Sequence, residues 1–336
     1  MQKKTTGRSP RITIRDVASD AGVSVAAVSK VLRDAYGVSD SLRAKVQASM
    51  EKLSYRPLAS ARGLRGRTYT LGLLLPDLRN PFFADIYDGI TSALARTQYQ
   101  AMQGISVSAN ELVEAMIDRQ MDGLILIGAN EGAERLREIS HRVPLVLVGH
   151  HDPDNQSFDT VNNDDQLGAR LVVRHLHANG YRRIAMLSLT RASNIIEQRE
   201  TGYRLEMMDQ GLGTAISIVR GTQIMRDVQI TVRKLLEGPQ RPDALFCWTD
   251  LIAIEAISVA TELGLSIPDD IAIVGHDNTM YCDLAQHRLT SVDQSGETLG
   301  IQAARLLVER VEGRSEAEHY LVTPRIVARA SSAKSA

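Results

Sequence analysis

The chain has 336 residues, 43% of them hydrophobic and 24% charged, a composition typical of a globular protein with two or three domains. No apolar run approaches the roughly 20 residues of a membrane-spanning helix, and the basic N-terminus lacks the apolar segment of a secretory signal. Two cysteines, Cys247 and Cys282, are too few for a disulfide framework. We therefore expect a cytoplasmic protein without membrane association, whose cysteines are buried as small apolar side chains.

The formal net charge of −1 conceals an uneven distribution. Residues 1–67 contain 14 Lys and Arg against 5 Asp and Glu, whereas the remainder contains 25 basic and 35 acidic residues. A basic N-terminal part followed by an acidic body is typical of a nucleic-acid-binding head joined to a regulatory domain. Aromatic residues make up only 4% of the chain, which argues against binding of single strands by base stacking.

Residues 13–33 predict two short helices joined by a tight turn. Thr13 is a good N-cap, and Asp16, three residues later, completes a capping-box pattern. Gly22 suits the end of the first helix because it adopts positive φ without a Cβ clash, and Ser24 can cap the second helix. Apolar residues at helical spacing form the two inward faces: Ile14, Val17, Ala18 and Ala21, then Ala27, Val28, Val31 and Leu32. This is the pattern of a helix-turn-helix DNA reader.

The outward face of the second helix carries side chains suited to a DNA groove, namely Val25, Ala26, Ser29, Lys30 and Arg33. Small apolar side chains can contact thymine methyl groups, and hydroxyl or cationic groups can bond bases or phosphates. The alternative is that Lys30 and Arg33 are simply solvated. The capping residues Thr13, Ser24 and Ser39 are further candidates for DNA contacts.

A third helix follows the hairpin. Ser39 is its expected cap, and apolar residues repeat toward the same small core at Leu42, Val46, Met50 and Leu53. Tyr55 is expected to pack against this core, with its hydroxyl placed to bond a phosphate. Residues 58–67 contain Gly63 and Gly66, each of which costs about 1 kcal/mol in a helix relative to Ala, so by themselves they predict a flexible linker.

From Tyr69 onward, apolar strands alternate with amphipathic helices, the pattern of parallel sheets covered by helices on both faces. The pattern restarts near residue 159, and residues 122–128 and 243–249 hold similar places in the two halves. The predicted fold is an α/β core of two doubly wound parallel-sheet lobes with a small all-α helix-turn-helix head. A ligand in such a fold binds between the lobes, at the carboxyl ends of the strands.

The segment IRDVASDAGVSVAAVSKVL resembles the N-terminal signature of the lactose-repressor/galactose-repressor (LacI/GalR) family of bacterial transcription regulators. The resemblance continues through VSDSLRAKVQASMEKLSYRPLASARGLRGR and, with departures, over nearly the whole chain. It implies a periplasmic-binding-protein-like core and a homodimer that binds palindromic double-stranded operator DNA on the bacterial nucleoid. It also implies repression under the control of a small effector, a sugar or sugar derivative bound between the lobes, with no cofactor.

The resemblance implies three regions: a headpiece at residues 1–57, a hinge at 58–68 and a two-lobed effector-binding and dimerisation core at 69–336. Chain crossings are expected near Asp159, His287 and Tyr320. They would divide the core into an N-lobe (69–159 and 288–319) and a C-lobe (160–287 and 320–331).

In the family, the hinge is a helix that orders only on DNA and wedges a leucine into the minor groove. The resemblance assigns that wedge to Leu64 and a close approach of two hinge helices to Ala61. Gly63 departs from the family pattern, because many relatives carry a better helix former there, and it makes ordering of the hinge costlier.

The resemblance also implies ten candidate effector contacts, several of which lie just after strands: Asp77, Asn80, Phe82, Phe83, His150, Arg199, Trp248, Thr249, Asp277 and Gln294. Aromatic rings would pack on a sugar ring, while Arg199 and Asp277 would bond its hydroxyl groups. Simpler alternatives exist: either Phe could pack in the core, Asn80 could only cap a helix, and Arg199 could be a surface charge. Trp248 could stack on the ligand or be a buried strand residue.

Thr249 and His150 stand where relatives carry other polar residues, which leaves the identity of the ligand open. His150 and His151, with Asp152 and Asp154, could suggest a metal site. Adjacent histidines on one loop rarely converge on one ion without a third, distant ligand, so no metal is expected.

No catalytic motif is present, because the sequence lacks a P-loop, an HExxH motif, a GxSxG motif and a dinucleotide fingerprint. We therefore expect a regulator and not an enzyme. The alternative is a sugar-binding module or carbohydrate enzyme whose basic head is incidental. Specific retention on duplex DNA that responds to a ligand would distinguish the two.

Overall fold

The computed structural model describes residues 12–32, 35–55, 67–105, 110–129, 131–190 and 193–333. The chain forms two compact units, Met1–Thr68 and Tyr69–Ala336, and the second begins where the α/β pattern begins in the sequence. Three of the residues expected to contact DNA lie outside the described residues: Arg33, Ala61 and Leu64. Gly63 and most of the expected hinge lie outside them as well.

The described part of the first unit contains three helices: α1 (Ile14–Asp20), α2 (Val25–Leu32) and α3 (Asp40–Lys52). The Asp16 carboxylate accepts from both the N–H and the hydroxyl of Thr13, each at 2.7 Å. The Ser24 and Ser39 hydroxyls accept from backbone N–H groups in the first turns of α2 and α3. Gly22 lies between α1 and α2 at a φ of 64°. The caps and the turn therefore confirm the predicted helix boundaries.

The three helices enclose a small core of their own. Val17, Val28 and Val46, one from each helix, are fully buried at its centre. The remaining apolar residues predicted for the inner faces surround them, and Ala27 is half-buried at the edge. Helical spacing was sufficient to find this core because each helix contributes a single stripe.

The second unit contains two six-stranded sheets among its described residues. The first comprises β1 (Thr70–Leu75), β2 (Gln100–Ile105), β3 (Gly123–Ile127), β4 (Leu145–Val148), β5 (Asp159–Asn163) and β11 (His319–Val322). Its strands are all parallel, in the order β11-β5-β4-β3-β1-β2. The helices of this lobe are α4 (Phe82–Leu94), α5 (Asn110–Asp118), α6 (Ala133–Arg142) and α11 (Gly296–Val311). They bury both faces of the sheet.

The second sheet comprises β6 (Ile184–Leu189), β7 (Ser217–Gly221), β8 (Ala244–Cys247), β9 (Ala272–His276), β10 (Thr290–Asp293) and β12 (Arg325–Val327). Its order is β12-β10-β9-β8-β6-β7, and only β12 runs antiparallel to its neighbour. The helices are α7 (Asp165–Ala178), α8 (Asn194–Asp209), α9 (Met225–Glu237) and α10 (Asp250–Glu262). Both cysteines are buried in this lobe. The two similar lobes are those that the repeated pattern predicted.

The crossings between the lobes differ from the expected ones. They follow Asn163, Asp293 and Val322, and not Asp159, His287 and Tyr320. The strand β5 pairs with β4 and β11, and β10 pairs with β9, so each strand belongs to the sheet from which the chain arrives. Hydrogen-bond partners remote in sequence decide this membership, and composition does not reveal them.

Close helix contacts hold each lobe together. A Cβ on Gly300 of α11 would lie 2.0 Å from the carbonyl oxygen of Ile86 on α4. In the second lobe, a Cβ on Gly202 of α8 would lie 2.2 Å from the carbonyl oxygen of Gln166 on α7. Both pairs of helices therefore pack at a distance that only glycine allows. Among the described residues, no helix combines the length and the hydropathy needed to cross a membrane.

Candidate functional site

The α2 helix exposes the side chains that a DNA-reading helix needs. Val25, Ala26 and Lys30 are exposed on the side away from the core. Ser29, however, is only 8% exposed, so the expectation that it points outward is wrong. At about 100° per residue, Ser29 lies about 60° from Leu32 and therefore borders the apolar face. Its small side chain fits where α2 packs against the other helices.

The other predicted DNA contacts have structural partners of their own. Thr13, Ser24 and Ser39 are exposed, but the Ser24 and Ser39 hydroxyls already accept from helix N–H groups and the Thr13 hydroxyl donates to Asp16. Tyr55 is half-buried against the core of the head. A phosphate contact from any of these hydroxyls remains a prediction.

Polar side chains meet between the two lobes, at the carboxyl ends of the strands. Asn80 Nδ2 donates to Asp277 Oδ2 at 2.8 Å and so joins the first lobe to the second. The Gln294 amide donates to the other Asp277 oxygen, and its carbonyl accepts from Arg199 Nη2 at 3.3 Å. Four predicted effector contacts therefore come together and hydrogen-bond to one another. Asn80 Oδ1 also accepts from the N–H of Phe82, the first residue of α4, at 3.1 Å.

Arg199 is a buried group and not a surface charge. Its side chain is 6% exposed, and its Nε donates to Asp165 Oδ1 at 2.7 Å. Nη1 donates to the Trp248 carbonyl at 3.0 Å, and the guanidinium carbon lies 4.2 Å from the centroid of the Trp248 ring. Trp248 is 7% exposed within the core of the second lobe. Trp248 is therefore buried, as one of its two alternatives proposed, and its ring stacks on Arg199.

Asp277 has an unusual backbone and an unusual charge. Its φ is 112°, and its side chain is almost fully buried. Burial raises the pKa of Asp277 to about 8, helped by the nearby negative charge of Asp250 and opposed by Arg199. The hydrogen bonds from its two amide neighbours also oppose this rise in pKa. The charge on Asp277 is therefore sensitive to anything that replaces those neighbours.

Asp165 forms a second link between the lobes that sequence reasoning missed. It is the first residue of α7, and its Oδ2 lies 3.0 Å from Nε2 of His151 in the loop after β4. Burial acts to raise the pKa of Asp165, but the Arg199 charge and the His151 hydrogen bond outweigh it and hold the pKa below its usual value. Asn194 Nδ2 adds a bond to the His151 carbonyl at 3.0 Å. The only signal in the sequence was a pair of acidic residues at a helix start.

A cavity of about 790 Å³ lies between the lobes. One wall follows β3 and β4 and includes Gly128, Glu131 and His150, while the opposite wall includes Thr190 and Ser193 at the start of α8. Of the ten predicted effector residues, His150 alone lines this cavity. Burial lowers the pKa of His150, although the negative charges of Asp152 and Glu131 partly oppose that shift.

The remaining predicted effector residues lie away from the cavity wall. Phe82 and Phe83 are half-buried against the core of the first lobe, with their ring centroids 5.8 Å apart. Asp77 is engaged in an ion pair with Arg79 at 2.6 Å. Thr249 caps α10 and is 9% exposed. These placements favour the structural alternatives for the two Phe side chains in this conformation.

Sequence reasoning also missed the charged groups of the cavity wall. Glu200 accepts from Arg220 Nε at 2.9 Å and from the Ser188 hydroxyl at 2.8 Å. Glu131, Asp152 and Glu197 also line the cavity. Within the described ranges, no three His, Cys, Asp or Glu side chains are placed to hold a metal ion.

Two family models match the chain. Residues 13–57 match the model described as bacterial regulatory proteins, lacI family, and residues 173–332 match the periplasmic binding protein-like domain. Catabolite control protein A of Priestia megaterium is 34% identical over 306 residues, which cover 89% of this chain and 92% of that protein. The ribose operon repressor of Escherichia coli (strain K12) is 29% identical over 332 residues, covering 95% and 99%.

A structural comparison agrees with these matches. The transcriptional regulator CelR, in its complex with cellobiose, superposes with a TM-score of 0.71 at 28% sequence identity. The match covers 96% of this chain and 100% of CelR. The likeness therefore extends over the head and over both lobes.

Proposed function

Because the chain belongs to the LacI family of bacterial regulatory proteins, we propose that it represses transcription as a homodimer on a palindromic operator, under the control of a sugar-like effector. Family membership makes it a DNA-binding regulator and not an enzyme. The observation that carries the proposal is the presence, in one chain, of an exposed α2 face and a 790 Å³ cavity between two lobes.

The exposed face of α2 supports operator binding. Val25 and Ala26 offer methyl groups to thymines, and Lys30 offers a cation to a base or phosphate. Arg33, Ala61 and Leu64 complete the proposed contacts from outside the described residues. Two heads on one dimer would reach half-sites about 34 Å apart, one turn of the duplex.

Exposed apolar side chains support a homodimer. Met280, Tyr281 and Leu284 expose 72%, 36% and 39% of their surface on one short segment of the second lobe. Met102 and Ile105 expose 55% and 46% on β2, an edge strand of the first lobe. Apolar groups left on the surface in this way are typical of protein interfaces.

The bonds between the lobes support a two-state mechanism. Asn80–Asp277 and His151–Asp165 are polar contacts that a change in lobe angle would break or form. An effector that offers hydroxyl groups to these residues would bind one lobe arrangement better than the other. Such a difference in affinity is the only means by which a ligand can shift the equilibrium. The sugar class rests on the names of relatives, which include a ribose operon repressor and a cellobiose complex.

Operator binding tests the proposal directly. Fluorescence anisotropy with palindromes from the gene's own promoter should show specific binding that weakens as salt rises. Lys30→Ala should weaken binding and reduce the salt slope by about 1, the loss of one phosphate contact. Lys234→Ala, which removes an exposed charge of α9, is the matched control and should change neither. Absence of any specific duplex at low salt, with and without candidate sugars, would refute the proposal.

A further inference from the structure

We propose that the effector of this protein is a hydroxylated amine, of which an amino sugar is the simplest example, and that sugar phosphates and sugar acids are rejected. This inference rests on the proposed function, because it takes the cavity between the lobes as the effector site. It concerns the charge of that cavity.

The described wall of the cavity contains more negative than positive charge. Four carboxylates line it, those of Glu131, Asp152, Glu197 and Glu200, together with one guanidinium, that of Arg220, and two imidazoles, those of His150 and His151. His151 is hydrogen-bonded to Asp165. Arg220 is committed to Glu200, since both its Nε and its Nη2 donate to that carboxylate. The charges of Arg220 and Glu200 therefore cancel. The other three carboxylates form no ion pair with a cation among the described residues.

One of these carboxylates has an oxygen that needs a donor. Glu131 Oε2 is shielded from solvent and accepts no hydrogen bond from a described group. A buried acceptor without a donor is unfavourable, so an N–H or O–H group from a ligand would stabilise it. Beside it, burial lowers the pKa of His150 and so disfavours a positive charge on this imidazole.

The positive end of a helix dipole does not reverse this balance. The N-terminus of α8 lies at the wall and contributes about half a positive charge, which is less than the charge of any one of these three carboxylates. Arg191 and Ala192 precede it outside the described residues. An ammonium group would therefore be attracted to the cavity, whereas a phosphate or carboxylate would be repelled. Leu189, Ile195 and Ala129 supply apolar surface for the carbon skeleton.

Matched ligands measure this preference on the full-length protein. Isothermal titration would use the gluco, galacto, manno and ribo sugars, each as the neutral sugar, the amine, the acid and the phosphate ester. We expect an amine to bind best, about tenfold or more tightly than its neutral parent. This preference should decline at a pH where the amine of the ligand loses its proton. In the variant Glu131→Gln the preference should shrink, whereas Glu237→Gln, an exposed carboxylate of α9, should retain it.

The outcomes separate this inference from the proposed function. If an acid or a phosphate ester binds best, if a neutral sugar equals its amine, or if no member binds, the inference is overturned. Operator binding measured on the same samples judges the proposed function independently. If a neutral sugar alters operator affinity as strongly as its amine, the proposed function as a sugar-controlled regulator stands and the inference of an amine effector is wrong.

Discussion

Replacing Arg199 by Ala should destabilise the second unit strongly. Arg199 and Asp165 have side chains only 6% and 1% exposed, and their ion pair is 2.7 Å long. Removing the cation leaves a carboxylate that is buried without its main partner, a change that costs about 3–5 kcal/mol in other proteins. The loss of the guanidinium also leaves the Trp248 carbonyl and the Gln294 amide oxygen without their donor.

Chemical denaturation of the full chain measures this loss as a change in the free energy of unfolding. In a thermal melt, the same variant should show a melting temperature lower by roughly 10 °C. Adding Asp165→Asn to Arg199→Ala should recover part of the loss, because the unpaired charge disappears. The control is Arg233→Ala, which breaks a surface ion pair with Glu262 and should cost at most about 1 kcal/mol. If Arg199→Ala cost no more than this control, Arg199 would be solvated and would not belong to a buried network.

Three further predictions test other parts of the structure. Burial, and then the Arg199 charge, hold the pKa of His276 well below its ordinary value, so stability should fall by up to about 1.4 kcal/mol per pH unit as pH drops below about 6.5. Thermal melts from pH 8 to 5 should show this fall in stability with decreasing pH in the parent chain and a smaller fall in His276→Phe. Equal falls in the two proteins would show that His276 is not the source of the pH dependence. Gly300→Ala should lower the free energy of unfolding by about 3 kcal/mol, because the added Cβ would collide with the backbone of α4. Gly132→Ala, with open space around the added Cβ, should lower it by less than about 1 kcal/mol. Equal melting temperatures for the two variants would contradict the close packing of α4 and α11. Ser24→Ala should remove a cap of α2 and destabilise the head by about 1 kcal/mol, and unaltered helix content on heating would argue against that cap.

The sequence by itself determined the local structure of this protein. Capping residues at Thr13, Ser24 and Ser39 and the glycine at residue 22 set the head, because a cap or a positive φ depends on residues within one turn. The alternation of apolar strands and helices fixed the two-lobed α/β class for a similar reason. Strand ends meet at one edge of a parallel sheet, and four of the ten candidate effector residues do hydrogen-bond to one another between the lobes.

Only the tertiary structure decided how those residues use their side chains. Ser29 is buried because α2 packs between two other helices, and β5 joins the first sheet because its partners lie far away in the chain. Asn80 and Asp277 are 197 positions apart, so no local pattern could show that they bond to each other. The acidic cavity likewise gathers side chains from loops of both lobes. Burial, pairing and charge balance are properties of groups brought together in space, and for that reason the structure, and not the sequence, assigned them.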